Sequence, residues 1–148
     1  MRLLIIAALL VARSADPNPA VGKWLVTYQR SVFAGTDSAR FERARARVTL
    51  EQRGDSIFGQ WVLITPSAQP LSGPRPLWGI APHRRFQLVG PLVEGKITGH
   101  LFGSTTIMLT PVYDFVVSGD SISGSLYARN DERGVKSAPV TFSGVKER

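Results

Sequence analysis

The hexapeptide Gly54-Asp55-Ser56-Ile57-Phe58-Gly59 occurs a second time as Gly119-Asp120-Ser121-Ile122-Ser123-Gly124. A looser copy reads Glu94-Gly95-Lys96-Ile97-Thr98-Gly99. Each copy sets a turn-forming pair ahead of a polar residue, Ile, one further residue and Gly. Such pairs suit two-residue hairpin loops, whose backbone needs positive φ. The copies therefore predict three β-hairpins built to one plan, in an all-β chain. With 148 residues, 14 Gly, 10 Pro and no Cys, the sequence fits one such domain and buries a core without disulfides. The lack of Cys also removes thiolate catalysis and thiolate metal sites.

Alternation with period two places the strands. Gly22 to Arg30 carries Trp24, Val26 and Tyr28 on one face, and Arg43, Arg45 and Arg47 alternate with Ala44, Ala46, Val48 and Leu50. Ser56 to Ile64 returns from the first hairpin. Arg85 to Gly90 with Lys96 to Phe102 reads as the second, and Thr106 to Ser118 with Ser121 to Ala128 as the third. Pro91-Leu92-Val93 distorts an arm of the second hairpin, and Pro111 marks a bulge or bend in the third. Arg129 to Lys136 reads as a charged loop, and Ser137 to Lys146 as the last strand. Residues 65–82 hold Pro66, Pro70, Pro74, Pro76 and Pro82, which predicts a long loop that no central strand crosses.

Superposing the hairpins gives one inside and one outside. Ile57, Ile97 and Ile122 coincide, then Gly59, Gly99 and Gly124, then Trp61, Leu101 and Leu126. On the arms before the turns, Val48 and Leu50 match Tyr113 and Phe115, with Phe86 and Leu88 in step. The opposite face reads Ser56, Lys96, Ser121; then Phe58, Thr98, Ser123; then Gln60, His100, Ser125. One apolar and one mostly polar face is the signature of a sheet covering a single core. Eight such strands predict an eight-stranded antiparallel up-and-down β-barrel.

At Gly22-Lys23-Trp24 the chain resembles the lipocalin and avidin (calycin) superfamily, in which a Gly-x-Trp on the first strand plugs the base of an eight-stranded barrel. The apolar strand, Gly-Asp turn and x-Ile-x-Gly return also look like a group of small exported bacterial barrels. The resemblance implies the plug role for Trp24. Lipocalins place an Arg on the last strand near that Trp, where Lys146 and Arg148 are available here. Val26 stands where avidins carry a polar biotin ligand, against biotin binding.

The N-terminus predicts export. Met1-Arg2 is a positive start, Leu3 to Ala12 is an apolar run of 10 residues, and Ala12-Arg13-Ser14 is a small-x-small cleavage signature. The run is too short to span a bilayer, so residues 1–14 read as a signal peptide and the protein as secreted or periplasmic. Residues 15–20 read as a flexible lead-in, and 21–148 as the barrel domain. Loss of Arg2 and Arg13 lowers the net charge from +7 to +5.

Candidate chemistry is sparse. His83 and His100 lie 17 positions apart with no ligand spacing around them, so no metal or cofactor is expected. There is no Gly-x-Ser-x-Gly and no phosphate loop, and a non-enzymatic protein is expected. Arg43, Arg45 and Arg47, with Arg40 nearby, form an outward row that reads as a solvated strand face discouraging edge pairing. Charges on a lipid-facing wall cost about 2–4 kcal/mol each near the midplane, which argues against membrane integration. Nucleic acid is not expected as a partner. The inward rings Trp24, Tyr28, Trp61, Tyr113 and Phe142, with Trp78 on the Pro-rich loop, are the candidate ligand-binding residues. Two functions follow. One is a binder of a small hydrophobic ligand in the barrel interior; the other is an interaction module that meets a protein through loop 65–82 while the rings fill the core.

Overall fold

Gly54 and Gly119 both adopt φ of 58°, the left-handed conformation that a residue without Cβ reaches freely. Each opens a two-residue loop, since Arg53 pairs with Ser56 and Ser118 with Ser121. The computed structural model describes residues 18–33, 39–64, 75–80, 85–99 and 103–148. Its strands are β1 (Gly22–Phe33), β2 (Ala39–Arg53), β3 (Ser56–Leu63), β4 (Arg75–Ile80) and β5 (Arg85–Val89). They continue as β6 (Val93–Gly99), β7 (Gly103–Ser118), β8 (Ser121–Asn130), β9 (Val135–Lys136) and β10 (Val140–Lys146). The pairing runs β1-β2-β3-β4-β5-β7-β8-β10 and returns to β1, every step antiparallel. That ring is the expected eight-stranded up-and-down barrel. β6 extends the sheet from β7, and β9 pairs with the end of β8.

Its membership differs from expectation in one strand. Arg75 to Ile80 is a barrel strand inside the stretch read as a loop, paired with β3 from Ser56↔Ile80 to Trp61↔Arg75. Pro76 is tolerated because of the way it faces. Its carbonyl oxygen lies 3.5 Å from where a Cβ on Gly90 would stand, so it points towards β5. In an antiparallel strand a residue's N–H and C=O point to the same side. The missing donor therefore faces the β4–β5 seam, which among the described residues is held by one pair, Trp78↔Val89. Residues 65–74 and 81–84 lie outside the described residues.

The Glu94-Gly95 copy is not a turn. Both residues sit within β6 opposite Met108 and Ile107, and Gly95 has no positive φ. β5 and β6 are two segments of one arm along β7. Val89 pairs with Val112 and Val93 with Leu109, so Gly90 to Leu92 face only Thr110 and Pro111. This is a β-bulge. Pro111 accepts a hydrogen bond from Gly90 N at 3.0 Å, and the donor that Pro111 lacks would face the same bulge. The ladder breaks where proline cannot complete it. His100, Leu101 and Phe102 lie outside the described residues, as does His83.

Two smaller segments are also more ordered than expected. Asn18 and Ala20, read as flexible, are buried at the base: Asn18 Oδ1 accepts from Ala20 N at 3.0 Å, and Asn18 O accepts from Val21 N at 3.0 Å. The charged stretch 129–136 is a hairpin, with Asn130 pairing Val135 and Lys136 Nζ 4.2 Å above the Tyr127 ring.

The inside and outside are as the superposed hairpins predict. Val48, Leu50, Ile57, Trp61, Phe86, Leu88, Tyr113, Phe115 and Ile122 are buried in one cluster, and Phe86 stacks on Phe115 with centroids 5.0 Å apart. The side chain of Ile97 falls outside what is described. Gly59 and Gly124 recur where neighbouring strands approach closely. A Cβ on either would collide with a backbone carbonyl of the next strand, Thr49 O or Asp114 O. The two true copies stand 65 positions apart, and so do their registers: Arg53↔Ser56 becomes Ser118↔Ser121, and Ser56↔Ile80 becomes Ser121↔Val145.

Trp24 closes the base. It is wholly buried and donates from Nε1 to Ala20 O at 2.8 Å. Lys146 Nζ lies 5.3 Å from the Trp24 ring centre and donates to Pro19 O at 3.3 Å. Gly22 is needed beside it: its φ is 135°, and a Cβ there would stand 2.8 Å from Lys146 Cε.

Candidate functional site

Four residues above the Trp24 plug, about 13 Å along the strand, Tyr28 of β1 enters a cluster of rings. Trp61 of β3 is its centre. Ring centroids lie 5.5 Å away for Tyr28, 5.2 Å for Tyr113 of β7 and 5.4 Å for Phe142 of β10. Period two delivers each ring inward, because Val26, Ile57, Phe115 and Gly144 share their strands' inner faces. Tyr28 and Phe142 are register partners across β1 and β10, which brings two of the rings to one level. Edge-on and tilted contacts of this kind are the favoured geometries for aromatic pairs.

The cluster has a polar side. Tyr113 is buried, and burial pushes its phenol pKa up; the guanidinium of Arg75 beside it pulls the other way, and Tyr28 adds to the rise. Arg75 is not among the six candidate ligand-binding residues, because the sequence reading places it on the Pro-rich loop and not on a barrel strand. Alternation of Arg75, Leu77 and Gly79 on one face is the signal that would have found it. The arrangement is a packed cluster of four rings, with a buried phenol and a cation at one edge.

The six candidate residues divide into three places. Tyr28, Trp61, Tyr113 and Phe142 come together; Trp24 sits apart as the base plug. Trp78 is on the outer face of β4, 41% exposed, beside Phe58 of β3. The structure does not bring it to the interior rings.

The arginine row keeps its outward position on β2, where Arg43, Arg45 and Arg47 are exposed. Arg47 is held by Glu147 through Nε–Oε2 at 2.7 Å and Nη2–Oε1 at 3.0 Å, which keeps the Glu147 carboxyl below its usual pKa. Among the described residues, no three His, Cys, Asp or Glu gather into a metal-holding group, and no helix is long and apolar enough to cross a membrane. The chain matches no protein-family model, and no curated protein matches it.

Proposed function

We propose that this is an exported, non-enzymatic barrel of lipocalin-like or avidin-like type that holds a small apolar ligand among its interior rings. The observation that carries the reading is the convergence of Tyr28, Trp61, Tyr113 and Phe142 from four different strands. Aliphatic side chains fill a barrel equally well, whereas two phenols inside one require polar partners. The Gly22-Lys23-Trp24 plug with Lys146 across its ring supports the superfamily reading. The Met1 to Ser14 pattern supports export to a secreted or periplasmic location.

Titration of the barrel with a fluorescent apolar probe such as 1-aminoanthracene tests the interior site. Saturable one-to-one binding is expected, weakened by Tyr113→Leu and by Phe142→Ala and unchanged by Trp78→Ala. Absence of saturable binding, or its loss with Trp78→Ala, rejects the interior site.

A second reading is an interaction module with a filled core. It is favoured by the exposure of Phe58, Trp78 and Ile80 on the outer wall. Under that reading the probe finds no interior site.

A further inference from the structure

On the outer wall, β2, β3 and β4 enclose a groove of about 330 Å³ between Thr49, Glu51, Arg53, Phe58, Gln60 and Trp78. The geometry points to a saccharide-binding groove here, separate from the barrel interior and taking a neutral oligosaccharide.

Register builds it. Thr49 pairs with Gln60, Glu51 with Phe58, and Phe58 with Trp78, so outward positions of three strands face one another across the groove. Two aromatic rings, Phe58 at 39% and Trp78 at 41% exposure, stand side by side. They are not equivalent. Arg53 lies over the Phe58 ring at 5.2 Å and also meets Glu51 at 3.3 Å, which covers the Phe58 face with a cation. No such cation is placed over Trp78 among the described residues, and its indole is the available platform.

The remaining lining selects the ligand. Gln60 offers both donors and acceptors, as does the Thr49 hydroxyl; Glu51 accepts and Arg53 donates. Glu51 and Arg53 pair with each other, so the lining of the groove has no net formal charge in a chain of formal charge +7. A polyanion is drawn instead to Arg43 and Arg45, further along the same outward face of β2. What fits is an uncharged molecule with one flat apolar face and an edge crowded with hydroxyls. A pyranose has that shape: its C–H face stacks on an indole, and its hydroxyls exchange hydrogen bonds with short polar side chains. The volume is at the lower end of ligand-sized sites, about 300–1,000 Å³.

The test is binding of the full chain to cello- and chito-tetraose by calorimetry, with retardation in gels containing neutral polysaccharide as a second readout. Saturable binding to at least one neutral probe is expected. Trp78→Ala should weaken it at least ~30-fold, as for an aromatic hot spot. Gln60→Ala should weaken it about fivefold, the loss of one hydrogen bond. The pair Arg43→Ser with Arg45→Ser should change nothing. Cooperative melting within about 5 °C of the native chain establishes that Trp78→Ala and Gln60→Ala still fold. Failure to bind any neutral probe overturns the assignment. So does binding only to single-stranded DNA, acidic polysaccharide or anionic vesicles, and so does neutral-glycan binding that survives Trp78→Ala. Loss of aminoanthracene binding without loss of tetraose binding would refute the interior site and leave the groove intact.

Discussion

Replacing Trp24 by Ala should cost far more than replacing Trp78 by Ala, and the difference can be worked from their surroundings. Trp24 is fully buried at the base, and truncating a buried Trp costs about 3–5 kcal/mol through lost transfer energy and the cavity left behind. Its Nε1 also satisfies Ala20 O, and leaving that acceptor unpaired in a buried place adds about 1 kcal/mol. A total near ~5 kcal/mol consumes most of a typical domain's stability. At roughly 3–4 °C per kcal/mol for a chain of this size, the melting temperature should fall by ~15–20 °C. Trp78 is 41% exposed on the outer face of β4, and its removal should cost about 1 kcal/mol, or ~3–4 °C. Because Trp24→Ala risks complete unfolding, Trp24→Phe is the companion: it keeps a ring and removes the donor, for about 1–2 kcal/mol. Urea denaturation followed by circular dichroism measures all three. Equal losses for Trp24→Ala and Trp78→Ala would refute the base-plug reasoning.

Four further outcomes follow. Gly54→Ala should cost about 1 kcal/mol, because only its φ of 58° opposes a Cβ, whereas Gly59→Ala should cost ~3 kcal/mol by driving a Cβ into the Thr49 carbonyl; denaturant midpoints give the order, and the reverse order rejects the close strand approach. The Arg47–Glu147 pair stabilises the fold at neutral pH, because Glu147 titrates lower in the folded chain than in the unfolded one. The stability gap between the native chain and Glu147→Gln should therefore shrink as pH falls through that lowered value, and a gap constant from pH 7 to pH 3 would exclude the linkage. Tyr113 has a raised pKa, so its contribution holds below the ordinary tyrosine value and is lost as pH rises through the folded one; in alkaline absorbance titration one of the three tyrosines should lag, and Tyr113→Phe should remove the lag. Protein exported by a bacterial host should begin near Ala15 by intact mass, and soluble cytoplasmic protein that keeps Met1 to Ser14 would sink the leader assignment.

Sequence carried the fold where two independent signals agreed. β2, β3, β7 and β8 have both alternation and a Gly-Asp turn, and their inner faces are as expected. β4 has alternation alone, over six residues, in a stretch whose prolines argue against a strand. What decides is which side of the strand the missing N–H faces, a property of the neighbouring strand and invisible in β4 itself. The third copy failed for a related reason. Its glycine comes second in the pair, so motif likeness concealed a loss of turn geometry. The candidate site was legible to the same degree. Four rings follow from period two, but the outward placement of Trp78 and the approach of Arg75 to Tyr113 both depend on the β3–β4 register.

The seam between β4 and β5, one pair among the described residues, gives the barrel a hidden arithmetic. Within residues 22–80, β1 to β4 pair in succession, and within residues 85–146 the ring runs β5-β7-β8-β10. Among the described residues the arcs meet twice, through five pairs at β1–β10 and one at β4–β5. Each arc carries one true copy of the turn motif on its second hairpin, and the shift of 65 positions also carries Gly79 onto Gly144, two glycines pressed against the backbone of the other arc. The molecule is thus two half-barrels joined edge to edge, each held mostly by pairing within its own arc, with the pairing between arcs confined to the two seams. A nick between Ile80 and Arg85 severs the chain where the least ladder is at stake, and fragments cut there are expected to find each other again.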